Sequence, residues 1–134
     1  MQIVIASANV FRRDLSSTIL NAAGYTCTEV RNVAALFTHL HETQFDLILI
    51  DYQIDETEPT RLLKLLRQQT QAPLVWMAEH IQALRLTTLD QGNSLVLAWP
   101  FQIEQLLQSV TTLIGQSGAS RAMAATAEAR NYLE

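Results

Sequence analysis

The chain has 134 residues, of which 49% are hydrophobic and 16% charged, so it can fill the core of one domain and does not have the composition of a disordered chain. Nine basic and 13 acidic residues give a net charge of −4, which disfavours nucleic acid as a partner. Cys27 is the single cysteine, which excludes an intramolecular disulfide, and no apolar run is long enough to span a membrane. Because the N-terminal residues also lack a signal-peptide pattern, we expect a cytoplasmic protein.

The first half of the chain alternates strand and helix patterns. An apolar run at residues 3–6 predicts a strand that is covered on both faces. A helix that ends at Gly24 follows, and its predicted buried face has near four-residue spacing and consists of Phe11, Leu15, Ile19 and Ala22. The alternating run at residues 25–30 predicts an edge strand. Asn32 can then cap a second helix with an apolar stripe made of Val33, Leu36, Phe37 and Leu40.

The second half continues the same alternation. Apolar runs predict three more buried strands, at residues 47–50, 74–78 and 95–98. A third helix, rich in leucine, can begin at Pro59. A weaker fourth helix is predicted between Ile81 and Gly92. The strongest apolar stripe predicts a fifth helix that ends at Gly115 and contains Ile103, Leu106, Leu107, Val110, Leu113 and Ile114.

Five strand–helix units predict an α/β fold with one parallel sheet and helices on both faces. We expect the flavodoxin-like doubly wound arrangement, with five parallel strands in the order 2-1-3-4-5. The domain is expected to comprise residues 1–115. Residues 116–134 are rich in alanine and are expected to form a C-terminal tail, either a short helix or the remnant of a linker.

The predicted strand order also predicts where a site lies. In open α/β sheets, ligands bind beyond the carboxyl ends of the strands, at the point where the strand order reverses. That point falls between strands 1 and 3. Ser7 and Ala8 follow strand 1, and Asp51 ends strand 3. Ala78 ends strand 4, and Trp99 follows strand 5.

Three segments at these strand ends, FDLILIDYQID, APLVWMAEH and LAWPFQIEQLL, resemble receiver domains of two-component response regulators. The resemblance covers roughly residues 1–115. It implies a CheY-like fold and a role in phosphorelay signal transduction. It also implies that Asp51 stands at the position of the aspartate that accepts the phosphoryl group.

The resemblance further implies four helper positions and a switch position, and this sequence departs from the family at each of them. Ser7 and Ala8 stand where the family has two acidic residues that bind Mg²⁺. Ala78 replaces a threonine or serine that bonds the phosphoryl group, and Trp99 replaces a lysine that neutralises its charge. Val96 replaces the aromatic residue that switches conformation. Phosphoryl transfer depends on such cationic and metal groups, so the chemistry is expected to be lost.

Composition strengthens the expectation for the lysine. The chain has one lysine, Lys64, which falls on the third predicted helix, so no shift of register can place a lysine at the end of strand 5. With one carboxylate in place of three, Mg²⁺ binding is expected to be weak or absent, and no other cofactor is implied. Asp51 is then interpreted as a vestigial carboxylate that is hydrogen-bonded to loop amides.

Two other groups of polar residues could suggest a metal, and we interpret neither as a metal site. The histidines are dispersed, at His39, His41 and His80. The loop after strand 3 is acidic but lacks the glycine pattern of a calcium loop, and its carboxylates are Asp55, Glu56 and Glu58.

Trp99 has two interpretations. It either folds over the space that the lysine and the phosphoryl group would need, or stands exposed as an anchor for a partner. We expect the first. The resemblance also implies a cis bond between Trp99 and Pro100, an isomer that aromatic–proline bonds tolerate.

Three functions stay open. The one we expect is a non-enzymatic pseudo-receiver that binds a histidine kinase, an output domain or itself, including a weak homodimer through the fifth predicted helix. The alternative is a working phosphorelay receiver that is phosphorylated at Asp51 with atypical helper residues. The third is a small flavodoxin-like ligand-binding protein, although no glycine-rich turn follows strand 1 to hold a phosphate. Neither nucleic acid nor a membrane is an expected partner.

Overall fold

Strands and helices alternate along residues 1–79 and 93–117, which are the residues that the computed structural model describes. The strands are β1 (Gln2–Ala6), β2 (Thr26–Val30), β3 (Leu47–Asp51), β4 (Leu74–Glu79) and β5 (Ser94–Trp99). The helices are α1 (Val10–Ala22), α2 (Val33–Glu42), α3 (Pro59–Gln69) and α4 (Ile103–Ser117), with a 3₁₀ turn at Ile54–Glu56. Helix α4 is therefore the fifth predicted helix. The fourth predicted helix, His80 and the predicted tail beyond residue 117 lie outside the described residues.

The sheet is parallel, and its strand order β2-β1-β3-β4-β5 confirms the prediction. Strand β3 is central, and residues 47–50 are fully buried, as their apolar run predicts. The register pairs Ile50 with Trp76 and Glu79 with Trp99. The carboxyl ends of β1, β3, β4 and β5 therefore lie side by side along one edge of the sheet.

Two hydrophobic cores cover the two faces of the sheet, because successive strand residues point to opposite sides. One core contains Ile48, Ile50 and Trp76 and is covered by α2 and α3. The other contains Leu49 and Val75 and is covered by α1 and α4. Burial on both faces explains why β3 and β4 are apolar throughout instead of alternating. Within the described residues, no helix has both the length and the apolar character that a membrane span requires.

The predicted buried face of α1 is confirmed at its centre, where Ile19 is buried and Leu15 packs against the core, and is wrong at its two ends. Phe11 is 67% exposed and Ala22 is also exposed, whereas Ser16 and Leu20 are buried against the sheet. Small serine side chains let the helix pack closely on the strands, so the buried face is rotated away from the most apolar stripe. As a consequence, Arg12 is half-buried beside the carboxyl ends of the strands.

The helix boundaries are confirmed at three places and wrong at one. The side chain of Asn32 accepts a hydrogen bond from the backbone of α2, and Pro59 occupies the first turn of α3. Gly24, with a φ of 98°, follows the end of α1. Gly115, in contrast, does not end α4, which continues to Ser117. A glycine inside a helix costs only about 1 kcal/mol, so the helix passes the expected domain boundary at residue 115.

Candidate functional site

The predicted site residues converge at the carboxyl ends of the strands. Ser7 is fully buried just after β1, and Asp51 is buried at the end of β3. Ala78 is buried near the end of β4, and Trp99 is half-buried at the end of β5. Ala8 is exposed to solvent. The structure therefore assembles a site around Asp51 from the carboxyl ends of four strands that are distant in the sequence.

Asp51 is hydrogen-bonded to the β1–α1 loop. The hydroxyl group of Ser7 donates to Asp51 Oδ2 at 3.0 Å and itself accepts a bond from the Asn9 backbone at 3.1 Å. The backbone N–H of Gln53 donates to Asp51 Oδ1 at 3.4 Å. Of the expected hydrogen bonds from loop amides to Asp51, the structure shows this one long bond from Gln53. The carboxylate is held mainly by side chains instead.

Arg12 is the residue of this site that the sequence interpretation missed. Its Nη1 atom lies 3.3 Å from both carboxylate oxygens of Asp51. On its other side, Nη2 lies 3.7 Å from Glu79 Oε1. The guanidinium group therefore bridges the ends of β3 and β4 and carries positive charge directly onto the Asp51 carboxylate.

The start of α1 explains why Arg12 reaches this position. Asn9 caps the helix by accepting a bond from the Arg12 backbone at 3.0 Å, which places Arg12 in the first turn. Long side chains on a helix point back toward its N-terminus, here toward the strand ends. A cation is normally unfavourable in the first turn because of the helix dipole. The negative charges of Asp51 and Glu79 compensate for the unfavourable helix dipole. The sequence signal for a cation at this site was therefore an arginine in the first turn of the helix after strand 1.

Trp99 covers the guanidinium group. The Arg12 Cζ atom lies 4.9 Å from the centroid of the Trp99 ring, which is cation–π geometry. The rings of Phe11 and Phe101 meet Trp99 edge-to-face at centroid distances of 6.1 and 5.0 Å. The Trp99–Pro100 bond is cis, as predicted. In this arrangement Trp99 folds over the site, as expected, and contacts Arg12.

Arg13 has a different role from its neighbour. Its Nη1 atom donates to the backbone oxygen of Ser7 at 2.7 Å, and its Nε atom lies 3.3 Å from Glu29 Oε1. Arg13 therefore ties the β1–α1 loop to the edge strand β2. It holds the backbone of Ser7, while Arg12 holds the carboxylate that Ser7 contacts.

The helper and switch positions of the family carry side chains without the expected groups. Ala78 has no hydroxyl group. Val96 is half-buried and packs against the core under α2 and α3. Neither residue offers a polar group to the Asp51 carboxylate.

The other polar candidates lie away from Asp51 or serve the fold. Asp55 accepts a hydrogen bond from the Val33 backbone at 2.8 Å and so links the β3–α3 loop to the start of α2. Asp55 and Glu56 have positive φ angles of 54° and 53°. His39 and His41 lie in the last turn of α2. Among residues 1–79 and 93–117, no three histidine, cysteine or acidic side chains cluster as a metal site would require.

The apolar stripe of α4 is largely used inside the domain. Leu106, Val110 and Leu113 are buried in the core, and Leu107 packs against it. Ile103, at the start of the helix, is 53% exposed. The width of the stripe therefore reflects packing on the sheet and does not leave a full apolar face for a second copy.

This fold and site define a class of signalling domain. The family model of the response regulator receiver domain matches residues 3–111 of the sequence. The chain belongs to that family. No curated protein matches the chain in the corresponding sequence search.

Solved receiver structures share the fold. A response regulator receiver protein from Sinorhizobium medicae has 21% identity and a TM-score of 0.75, with 86% of this chain and 94% of that chain covered. The chemotaxis response regulator CheY4 of Vibrio cholerae has 20% identity and a TM-score of 0.73, covering 84% and 97%. NtrX from Brucella abortus has 16% identity and a TM-score of 0.80, covering 92% of this chain and 29% of NtrX. At these identities the similarity shows the fold alone.

The Asp51 site does not fit the Mg²⁺ ion that the family implies. Mg²⁺ requires near-octahedral oxygen ligands and keeps them at about 2.0–2.1 Å. Here the oxygens of Asp51 already accept bonds from Ser7 and Arg12, and the position of the acidic pair carries Ser7 and Ala8. The group next to the carboxylate is a cation, which would repel a metal ion.

Proposed function

We propose that this receiver domain is a cytoplasmic, non-enzymatic signalling module that acts through protein binding, without phosphorylation of Asp51. The observation that carries the proposal is the occupied carboxylate. Ser7 donates to one oxygen of Asp51, and Arg12 donates to both. Mg²⁺ binding is proposed to be weak or absent for the same reason.

Phosphorylation of an aspartate requires one of its oxygens to attack phosphorus while cations neutralise the three equatorial oxygens. In this site the cation sits on the attacking group itself, where it lowers the availability of the carboxylate electrons. At the neighbouring strand ends, Ala78 supplies no hydroxyl group and Trp99 supplies no charge. Both the nucleophile and its helpers are therefore unsuited to the reaction.

Loss of the chemistry also removes the basis for a switch. A ligand shifts a conformational equilibrium only if it contacts the two states differently. A phosphoryl group on Asp51 would have no hydroxyl to attract at Ala78 and no ring to follow at Val96. The proposed module therefore keeps one conformation, and its signal depends on whether a partner is bound.

Exposed apolar side chains near the site support a binding role. Val10, Phe11 and Ile103 are each more than half exposed, at 58%, 67% and 53%. The Phe11 ring meets Trp99 edge-to-face, and Trp99 in turn meets Phe101, so aromatic surface continues from the site to the exposed Phe11. Val10 is the neighbour of Phe11 in the sequence, and Ile103 follows Phe101 by two residues. Such patches are typical of interaction surfaces. The proposed partner is a histidine kinase, an output domain or a second copy of this chain.

Labelling with acetyl phosphate tests the proposal directly. The protein is incubated with acetyl phosphate and millimolar Mg²⁺, and its intact mass is measured beside that of the Asp51→Asn variant. A receiver that retains the acidic pair, the threonine and the lysine serves as positive control. We expect no phosphorylated species for this chain. A phosphorylated species that disappears in Asp51→Asn would favour the working receiver instead.

A further inference from the structure

We infer that Arg12 is the resident cation of the Asp51 site and that it keeps divalent metal ions out. Asp51 is a buried carboxylate, and a buried charge is unfavourable unless an opposite charge and hydrogen bonds compensate it. In the described part of the chain, Arg12 is the cationic residue that forms an ion pair with Asp51, with Nη1 lying 3.3 Å from Oδ2. Arg13, one residue further, is engaged by Ser7 and Glu29.

The guanidinium group is held from three sides. Asp51 and Glu79 contact its two terminal nitrogens, and its Cζ atom lies over the Trp99 ring. The Arg12 side chain is only 15% exposed. Among residues 1–79 and 93–117, its buried Nε atom has no hydrogen-bond partner. The contacts that hold the side chain are therefore those of its terminal nitrogens and of the indole ring.

This position conflicts with a metal ion on Asp51. The Nη1 atom is equidistant from Oδ1 and Oδ2, so it lies in front of the carboxylate, where a bound cation would also lie. The third contact, from the Ser7 hydroxyl, directs a proton at Oδ2. Arg12 therefore supplies, as a permanent part of the fold, the positive charge that other family members take from solution.

The effect of Arg12 on Mg²⁺ binding is measurable without phosphorylation. Removal of the Arg12 charge leaves Asp51 and Glu79 on two sides of a cation position, and a divalent ion can then compensate them. The wild-type protein should not respond to Mg²⁺, and an Arg12→Gln variant should. Arg13→Gln is the matched control, because it removes an arginine of similar burial that does not contact Asp51.

The test measures melting temperatures with and without millimolar Mg²⁺, in the full chain. We expect no Mg²⁺ effect on wild type or Arg13→Gln. Arg12→Gln should melt roughly 5–15 °C below wild type without Mg²⁺. Millimolar Mg²⁺ should raise its melting temperature by about 2–6 °C, and this gain should vanish in Arg12→Gln/Asp51→Asn. If Arg12→Gln folds only when Mg²⁺ is present, that dependence also shows stabilisation of the variant by Mg²⁺ and supports the inference.

Arg12→Lys separates charge from shape. It keeps the positive charge but loses the guanidinium group that lies over Trp99, so it should be somewhat less stable than wild type and still insensitive to Mg²⁺. Stabilisation of wild type by Mg²⁺ through Asp51 would overturn the inference. So would an Arg12→Gln variant that gains no more from Mg²⁺ than Arg13→Gln does. Acetyl phosphate labelling of wild type would defeat the proposed function, whereas these temperatures test Arg12 alone.

Discussion

Strand β3 contains two adjacent regions that meet different requirements. Residues 47–50 are apolar and fully buried, and residues 48–50 are paired with strands on both sides. Asp51, the next residue, is charged and bonded to side chains of the β1–α1 segment. The first region builds the family fold, and the second is held by an ion pair with Arg12 and a hydrogen bond from Ser7. The contrast shows that buried apolar strands set the strand order, whereas the side chains at the strand ends, here an internal ion pair, set the character of the site.

The largest effect is expected from the apolar region. Ile50→Ala removes a fully buried side chain from the central strand, and the resulting cavity should lower the free energy of unfolding by roughly 2–5 kcal/mol. Urea denaturation measures the loss. Leu65→Ala, which truncates an exposed leucine of α3, is the control and should change little. A loss below about 1 kcal/mol at Ile50 would contradict the burial of β3.

A smaller effect is expected one residue further. Asp51→Asn keeps the size of the side chain and the Ser7 contact but leaves Arg12 without its buried partner. The N···O distances of 3.3 Å exceed the roughly 2.7–2.9 Å of strong charge-assisted bonds, so the pair is not an optimal one. We expect a loss of about 1–3 kcal/mol in urea denaturation. An unchanged or increased stability would mean that the ion pair does not stabilise the fold.

At the rim of the site, a substitution should change the association of the protein and not its free energy of unfolding. Phe11 is 67% exposed, so Phe11→Ala should change the free energy of unfolding by less than about 0.5 kcal/mol. If copies of this chain associate through the patch, sedimentation at high concentration should show a dimer that Phe11→Ala weakens and Leu65→Ala does not. A dimer that is insensitive to Phe11 would place the contact elsewhere.

The last effect concerns the edge strand and appears only at high pH. Burial, with a further contribution from the charge of Glu29, raises the pKa of the Cys27 thiol from 9.0 to about 11. A raised pKa means that the folded state binds the thiol proton more tightly than the unfolded state does. The contribution of the protonated thiol to folding stability is therefore complete below pH 9 and is lost as the pH rises toward 11. Cys27→Ser should therefore lose less stability than wild type between these pH values. Equal losses would contradict the raised pKa.

The sequence predicted the fold well because its signals are local. The runs at 47–50 and 74–78 are continuous and apolar, which leaves few alternatives to buried parallel strands. Two local predictions were wrong for physical reasons. Serine does not register as a core residue, so the burial of Ser16 on α1 was missed, and Gly115 was given more weight than the modest cost of a helical glycine justifies.

The site was predicted in part. The positions of Ser7, Asp51, Ala78 and Trp99 follow from strand order, because parallel strands end at the same edge. Arg12 does not follow from strand order. Its pair with Asp51 joins residues 39 positions apart and depends on the rotation of α1 and the reach of a long side chain. Neither is encoded in a motif.

Amide NMR with beryllofluoride and Mg²⁺ asks most directly whether Asp51 is closed to phosphoryl chemistry, because this complex mimics an aspartyl phosphate. Spectra of the wild-type chain are recorded before and after its addition, with Asp51→Asn as the control. Because Arg12 and Ser7 occupy the carboxylate, we expect the two wild-type spectra to coincide. Shifts that depend on Asp51 and extend along β4 and β5 would show that the carboxylate accepts the mimic and that the switch of the family survives in this chain.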